Sequence, residues 1–280
     1  MLKSLHMIEL PEARTISKDL RKTILGKTIT DIKGNFKGHK FTFYIPEPET
    51  YKKLLTGKKI TGLIDRNFYI EIEAEDYKII FRDGANIRYY KPGTNEPPKS
   101  QLLIEFSDGS FLNVTVSMYA CIAVFKSSES LDNKYYQLDL SGVGALDKKF
   151  TYDYFKSLIT PETLKLSAKA LLATEQRIPG IGNGVVQDIL WNAKINPRTK
   201  IKDLSEPQIK KLYDSIIETI TKMTQQNGRD TEKDIFDQPG KYQTIMSNKN
   251  YKYGCPICNS PIKKENYLGG SAYYCPVCQK

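Results

Sequence analysis

The 280-residue sequence contains no apolar run that approaches eighteen residues, so we expect no membrane-spanning helix. It lacks a basic start followed by an apolar stretch and a small-residue cleavage site, which argues against secretion and favours a cytoplasmic location. Only five cysteines occur, and we expect thiols or metal ligands rather than disulfides. No internal repeat or low-complexity tract is evident. The composition, with 40% hydrophobic residues, fits a soluble globular chain long enough for two domains and a small third module.

Positive charge is in surplus. The formal net charge is +10, and residues 241–280 hold six Lys or Arg against one acid, a net charge of +5. Half of the excess therefore lies in one seventh of the chain. A basic surplus focused on one small module indicates a polyanionic partner, most simply a nucleic acid. A solvated lysine-rich surface is the alternative interpretation.

The periodicity of apolar residues divides the chain. Residues 12–25 carry Ala13, Ile16, Leu20 and Ile24 at helical spacing. Short alternating or β-branched runs then extend from 27 to about 126, with SDG (107–109) as a hairpin turn. This part is predicted to be mainly a β-sandwich or barrel.

The second half of the chain has helical periodicity from about 150 to 235. Proline-containing starts are predicted at 160–162 and 205–207, and Asn227-Gly228 is predicted to close the last long helix. The short tail lacks the residues for a core of its own, so it needs a cross-link or a metal.

The tail has a strong metal-binding pattern, Cys255-Pro-Ile-Cys258 and then Cys275-Pro-Val-Cys278. Two CxxC pairs sixteen residues apart are typical of a tetrahedral zinc site, and with four protein ligands the zinc would be structural. Two disulfides or a redox CxxC are the alternatives. Cys121 lies in an apolar β run and is predicted to be a buried core thiol.

A hairpin is predicted between the two cysteine pairs. It contains Lys263, Lys264 and the Gly269-Gly270 turn, a combination that suits insertion beside a phosphate backbone. A plain zinc-ribbon hairpin with solvated lysines is the alternative.

A glycine-rich turn, PGIGNG (179–184), separates two helical segments. Glycines such as Gly182 let backbone amides approach a phosphate, the following helix adds a favourable dipole, and Asn183 can donate a hydrogen bond. The alternative is a helix–turn–helix corner that needs glycine only for positive φ.

Three sequence motifs follow one another along the chain: ELPEARTI, then PGIGNGVVQDILWNAKINPR, and then a four-cysteine hairpin that ends CPVCQK. Together they resemble the formamidopyrimidine-DNA glycosylase / endonuclease VIII family, and the similarity runs from Met7 to Lys280. Residues 228–243 also resemble a loop of that family. The resemblance implies an α+β multidomain protein. Its parts would be an N-terminal helix with a β-sandwich (7–130), a helix–two-turn–helix domain (131–248) and a zinc-finger β-hairpin (249–280).

The resemblance also implies a function in DNA base-excision repair. Family members extrude a damaged base from double-stranded DNA and break its glycosidic bond through attack of an amine on the sugar C1′. The resulting Schiff base permits elimination at the abasic site, which is an AP lyase activity. By this resemblance Glu9 and Glu12 match the two acids of the N-terminal motif, and Asn183 matches the residue that holds a phosphate at the lesion. The four tail cysteines match zinc ligands, and a monomer, nucleoid-associated if bacterial, is expected.

Three positions depart from the family pattern. Ile8 stands at the place of the proline whose amine is the usual nucleophile, and an amide nitrogen cannot form a Schiff base. Phe68 stands where family members have a phosphate-binding lysine, and Gly270 where they have an arginine. The usual wedge loop is replaced by SMYACIA (117–123), in which Met118 or Tyr119 would fill the void or would simply be core residues of a strand.

Two interpretations of the active site follow. The first is a divergent DNA glycosylase/AP lyase whose amine belongs to Met7, if Met7 is the mature N-terminus, or to Lys40 with His39 as acid or base. The second is a damaged-DNA-binding protein without chemistry, in which Glu9 persists as an acidic cap of its own helix. RNA binding through the same basic surface is less favoured.

Overall fold

The computed structural model describes residues 7–36 and 38–280, and the chain forms two compact units. Of the described residues, the first comprises 7–8, Glu12–Gln137 and Glu232–Pro239. The second comprises Glu9–Pro11, Leu138–Thr231 and Gly240–Lys280. The three-domain division at 130 and 248 stays a prediction. Within the described ranges, no helix is both long and apolar enough to cross a membrane.

The chain between residues 10 and 126 is mainly β-structure. Its described elements are α1 (Leu10–Thr23), β1 (Ile29–Lys33), β2 (Thr42–Ile45), α2 (Tyr51–Leu55), β3 (Ile60–Asp65), β4 (Tyr69–Ala74), β5 (Tyr77–Tyr90), β6 (Leu102–Phe106) and β7 (Phe111–Lys126). The strands form one seven-stranded sheet in the order β1-β6-β7-β5-β4-β3, with β2 parallel to β7. The turn predicted at 107–109 joins β6 to β7 and is confirmed.

Helix α1 packs on this sheet through the predicted stripe. Its buried residues Ala13, Ile16 and Leu20, with Ile24 just beyond its end, join the main core of the first unit. The apolar face is continuous because residues three and four apart share one side of a helix. The N-terminal helix and its core face are confirmed.

The two longest strands, β5 and β7, share an irregularity. Their register shifts between Asp83 and Ala85, and Asp83 and Met118 both have left-handed backbone conformations. Gly84 is required here, because a Cβ on it would lie 1.9 Å from the carbonyl oxygen of Ser117. A β-bulge of this kind re-aims the neighbouring side chains.

The second half of the chain is mainly helical and ends in a hairpin. Its described elements are α3 (Lys134–Ser141), α4 (Tyr152–Ser157), α5 (Ala168–Ala173), α6 (Val185–Ala193), α7 (Glu206–Gln225), β8 (Lys263–Tyr267) and β9 (Gly270–Tyr274). Ser205 and Gln208 form a capping box at the start of α7. Asn227 and Gly228 have positive φ after its end, as predicted. The α+β class is confirmed.

The predicted helix start at 160–162 is wrong. Residues Thr163–Lys165 form only a short 3₁₀ turn, and Leu166 is extended. The α-helix begins after Ser167, whose side chain accepts a hydrogen bond from the Ala170 amide. The cap of the α-helix therefore lies seven residues further along the chain than the proline start.

Candidate functional site

The carboxylate of Glu9 lies at the N-terminus of helix α6. Its Oε1 accepts a hydrogen bond from the Gly184 amide at 2.8 Å, and its Oε2 accepts one from the Val185 amide at 2.7 Å. The first amides of a helix have no partner inside the helix and carry its positive dipole end, so they favour an anion. Glu9 therefore caps α6, which begins 176 residues later in the sequence, and not the helix that follows it directly.

The glycines of PGIGNG have different roles. Gly180 has a φ of +85°, which suits glycine. Gly182 and Gly184 instead provide space: a Cβ on Gly182 would lie 2.8 Å from Glu9 Oε1, and a Cβ on Gly184 would lie 1.6 Å from Arg229 Nη1. The corner is thus built around a buried carboxylate.

Arg229 is a component of this site that the sequence did not single out. Its guanidinium lies 3.7 Å from Glu9 Oε2, and both side chains are less than a tenth exposed. A buried charge requires a compensating charge or hydrogen bonds, and Arg229 and the α6 amides together provide both for Glu9. The available signal was the GRD sequence that opens loop 228–243.

Asn183 is exposed at the same corner and lies against the finger hairpin. A Cβ on Gly270 would lie 3.0 Å from Asn183 Cγ, so the absence of a side chain at Gly270 leaves room for the asparagine amide. The backbone carbonyl and the Oδ1 of Asn183 both accept hydrogen bonds from Gln187 Nε2, at 2.8 and 3.3 Å.

The four cysteines of the tail lie together. Their Sγ atoms are all within 4.8 Å of one another, with 3.8 Å between Cys255 and Cys278 and 3.4 Å between Cys258 and Cys275. Four thiolates that bind one zinc at 2.3 Å lie about 3.8 Å apart, and a disulfide would need about 2 Å. The donor set therefore fits a structural zinc, and all four thiols are free rather than paired as disulfides. Cys121 is buried, as predicted.

The two hairpin lysines differ in their surroundings. Lys263 is exposed on β8. Lys264 Nζ donates to Asn248 Oδ1 at 2.9 Å and lies over the rings of Tyr251 and Tyr273. Lys263 is therefore the more available to a phosphate.

A third lysine, Lys169 on α5, holds the hairpin turn and was not predicted. Its Nζ is buried and donates to the carbonyls of Tyr267 and Ser271 at 2.9 and 3.1 Å. Burial, together with the positive charge of Arg198, lowers the pKa of Lys169 to about 8.

Two of the three departures from the family pattern, Ile8 and Phe68, are core positions. The Ile8 side chain is 4% exposed in the core of the first unit, and its amide donates to the Asp83 carbonyl at 3.0 Å. Phe68 is 4% exposed and packs with Tyr69 and Tyr136. Neither residue can bind a phosphate or attack a sugar, which agrees with the interpretation of both as replacements.

The remaining candidates are distributed on the first unit. Met118 and Tyr119 are 44% and 37% exposed, so they are not the core residues that one interpretation proposed. Lys40 is exposed over the ring of Phe41, and His39 is half-buried. Glu12 is buried in α1, Met7 is half-buried, and His6 lies outside the described residues.

Comparisons with known proteins cover most of the chain. The model of the formamidopyrimidine-DNA glycosylase N-terminal domain matches residues 7–115, and that of the H2TH domain of the same enzyme matches residues 142–234. Formamidopyrimidine-DNA glycosylases of Lactococcus lactis subsp. cremoris and of one Bacillus cereus strain are 28% and 24% identical. These alignments cover 98% of this chain and 100% and 99% of the relatives.

Solved structures agree with these relatives. The Lactococcus lactis Fpg in complex with abasic-site DNA has a TM-score of 0.82 and 25% identity, over 97% of this chain and 99% of that one. The same enzyme with FAPY-dG-containing DNA has a TM-score of 0.81 and 26% identity, over 97% of this chain and 100% of that one. The fold, the helix–turn–helix corner and the two domain matches agree, and the chain belongs to the formamidopyrimidine-DNA glycosylase family.

Proposed function

We propose that this protein is a DNA glycosylase that removes damaged bases from double-stranded DNA and then cleaves the abasic site. The observation that carries the proposal is the Glu9 carboxylate, held by the α6 amides and Arg229 beside the exposed Asn183. Relatives over nearly the whole chain bear this enzyme's name, and a similar solved structure contains abasic-site DNA. The site therefore retains the acid of the family motif in a fixed position.

Glu9 is suited to accept and return a proton. Each of its oxygens accepts one backbone N–H, which holds the carboxylate in place at the corner. The helix dipole and Arg229 stabilise the anion. Glu9 would thus receive a proton from the opened sugar and stabilise the positive charge of a Schiff base. Glu12, buried three residues later, would support the motif.

The nucleophilic amine is the second requirement. The Ile8 nitrogen is an amide and is already bonded to the Asp83 carbonyl, so it cannot attack. We propose that the nucleophile is the α-amine of Met7 in a chain that begins at Met7. The hydrogen bond from the Ile8 amide to the Asp83 carbonyl fixes Ile8, the residue that follows Met7. An α-amine has a pKa of about 7.7–8.0 against about 10.4 for lysine, so more of it is neutral at pH 7. The amine adds to C1′ as the bond to the base breaks, and the base leaves with a proton.

Each unit by itself offers groups that would contact DNA. Asn183, the Gly182 region and Lys263 would bind phosphates. Tyr119 or Met118, exposed at the bulge between β5 and β7, would fill the void left by an extruded base. The zinc site supplies no reaction step and would hold the hairpin in place. We propose a monomer with domains 7–130, 131–248 and 249–280, located in the cytoplasm and on the nucleoid in a bacterium.

Borohydride trapping tests the proposal. The full chain, and a chain that begins at Met7, are incubated with duplexes that carry an abasic site or an oxidised base. A covalent adduct with the shorter chain, abolished in Glu9→Gln and retained in Lys40→Ala, is the expected result. Loss of the adduct in Lys40→Ala would move the nucleophile to Lys40.

A negative outcome is equally informative. If neither chain forms an adduct or cleaves, while both bind the abasic duplex tightly, the protein is a damage-binding protein without chemistry. Binding is measured at two salt concentrations, because released counterions weaken phosphate contacts as salt rises.

A further inference from the structure

Gln187 is a buried side chain one helical turn after Asn183, and nothing in the family resemblance singled it out. It is 3% exposed on α6. We infer that Gln187 is a positioning residue, which turns the Asn183 amide so that its N–H donors face outward to a DNA phosphate. The identity of the anion rests on the proposed function, whereas the orientation of the amide follows from the contacts alone.

The orientation of the Gln187 amide is fixed by the backbone. Its Oε1 accepts the Tyr273 amide N–H at 3.0 Å, and its Nε2 donates to the Ser271 carbonyl at 2.9 Å and to the Asn183 carbonyl at 2.8 Å. A rotated amide would place its oxygen against two carbonyls and its NH₂ against an N–H. The polarity of backbone groups cannot change, so only one orientation satisfies all three contacts.

This orientation determines that of Asn183. The Asn183 Oδ1 lies 3.3 Å from Gln187 Nε2, which is a donor. If the Asn183 amide were reversed, two NH₂ groups would face each other and neither could accept. The oxygen of Asn183 is therefore held toward Gln187, and its NH₂ group points away from Gln187 on an exposed residue. An NH₂ group presents two N–H donors and so favours an anion.

The hairpin closes the other side of the asparagine. The Ser271 carbonyl that accepts from Gln187 also accepts from Lys169, which bonds the Tyr267 carbonyl as well. The turn is thus fixed at both ends, and Gly270 presents no side chain toward Asn183. These contacts all lie within the second unit and connect the finger to α6 through Gln187.

A double-mutant cycle tests the inference. Binding of a duplex with a stable abasic-site analogue is measured for Asn183→Ala, Gln187→Met and the double variant. We expect Asn183→Ala to weaken binding about tenfold or more, Gln187→Met to weaken it several-fold, and the double variant to bind like Asn183→Ala. Effects that multiply in the double variant would show that Gln187 acts only on the fold, and would overturn the inference.

Gln279 provides a matched control. It is another buried glutamine that holds the finger, with its Oε1 bonded to the Cys275 amide and its Nε2 to the Ile195 carbonyl. Neither of these hydrogen bonds reaches Asn183, so the effect of Gln279→Met should multiply with that of Asn183→Ala. Zinc content and the fluorescence of Trp191 confirm that each variant is folded.

The substitution Asn183→Asp tests whether the Asn183 amide presents its N–H donors to the phosphate. Asn183 is exposed, so this substitution should leave the fold intact. If the N–H donors face the phosphate, the carboxylate repels it, and Asn183→Asp binds more weakly than Asn183→Ala. Binding equal to that of the unsubstituted protein would mean that Asn183 donates no hydrogen bond to a phosphate, and would overturn the inference. An Asn183→Ala variant with full affinity would also overturn it, while the trapping adduct would still decide the glycosylase proposal.

Discussion

The substitution Glu9→Gln tests whether α6 depends on a carboxylate at its N-terminus. Two backbone amides, of Gly184 and Val185, donate to the two different oxygens of Glu9 at 2.8 and 2.7 Å. A glutamine of the same size offers one oxygen and one NH₂ group. One of the two amides would then face another donor, and Arg229 would lose its charged neighbour at 3.7 Å.

The expected loss follows from these contacts. A hydrogen bond to a charged group contributes about 1.5–3 kcal/mol, and the interaction of a partly buried anion with a helix dipole contributes up to about 2 kcal/mol. Glu9→Gln should therefore reduce the free energy of unfolding by about 2–4 kcal/mol. For a chain of this size the melting temperature falls by roughly 2–4 °C per kcal/mol, so we expect a decrease of about 10 °C.

The assay is thermal unfolding followed by the fluorescence of Trp191. This is the one tryptophan of the sequence, and it is buried in the same unit as Glu9 and α6. Glu162→Gln is the control, because Glu162 is an exposed acid of that unit and its replacement should leave the melting temperature unchanged. If Glu9→Gln also melted within about 2 °C of the unsubstituted protein, the carboxylate would not hold α6. Catalytic assays of this variant should be run well below its melting temperature.

Three further results are expected. Burial lowers the pKa of Lys169 from 10.5 to about 8, so between these two pH values the unfolded chain binds more protons than the folded chain. The free energy of unfolding should therefore rise with pH over this range by up to about 3 kcal/mol. If the free energy of unfolding in urea did not change with pH in either the unsubstituted protein or Lys169→Met, this expectation would be contradicted. Removal of zinc with a chelator should change the fluorescence of Trp191, which packs on Cys255, and should weaken DNA binding. Unchanged fluorescence after confirmed metal loss would refute the coupling between the zinc site and Trp191. Tyr119→Ala should keep the melting temperature and weaken binding to an abasic duplex about tenfold, whereas Tyr119→Phe should retain the affinity; equal binding by both would exclude Tyr119 as the wedge.

Local patterns were sufficient for several features of the fold. The helical stripe from Ala13 to Leu20 is buried as its spacing predicts, and the SDG turn lies between two paired strands. The helix predicted to start at 160–162 is wrong, because the chain becomes extended at Leu166 and the α-helix begins only after Ser167. Neighbouring residues compete for the same helix start, and the periodicity of apolar residues does not rank them.

The sequence by itself determined the family motifs, the α1 and β-strand patterns and the four zinc ligands. These features depend on residues close together in the chain, where spacing fixes geometry. The tertiary structure decided which distant groups meet. It places Glu9 on the amides of α6, Arg229 beside that carboxylate, and Gln187 between Asn183 and the finger. Hydrogen bonds and buried charges select partners by position in space, and separations of 84 to 220 residues leave no local trace of them.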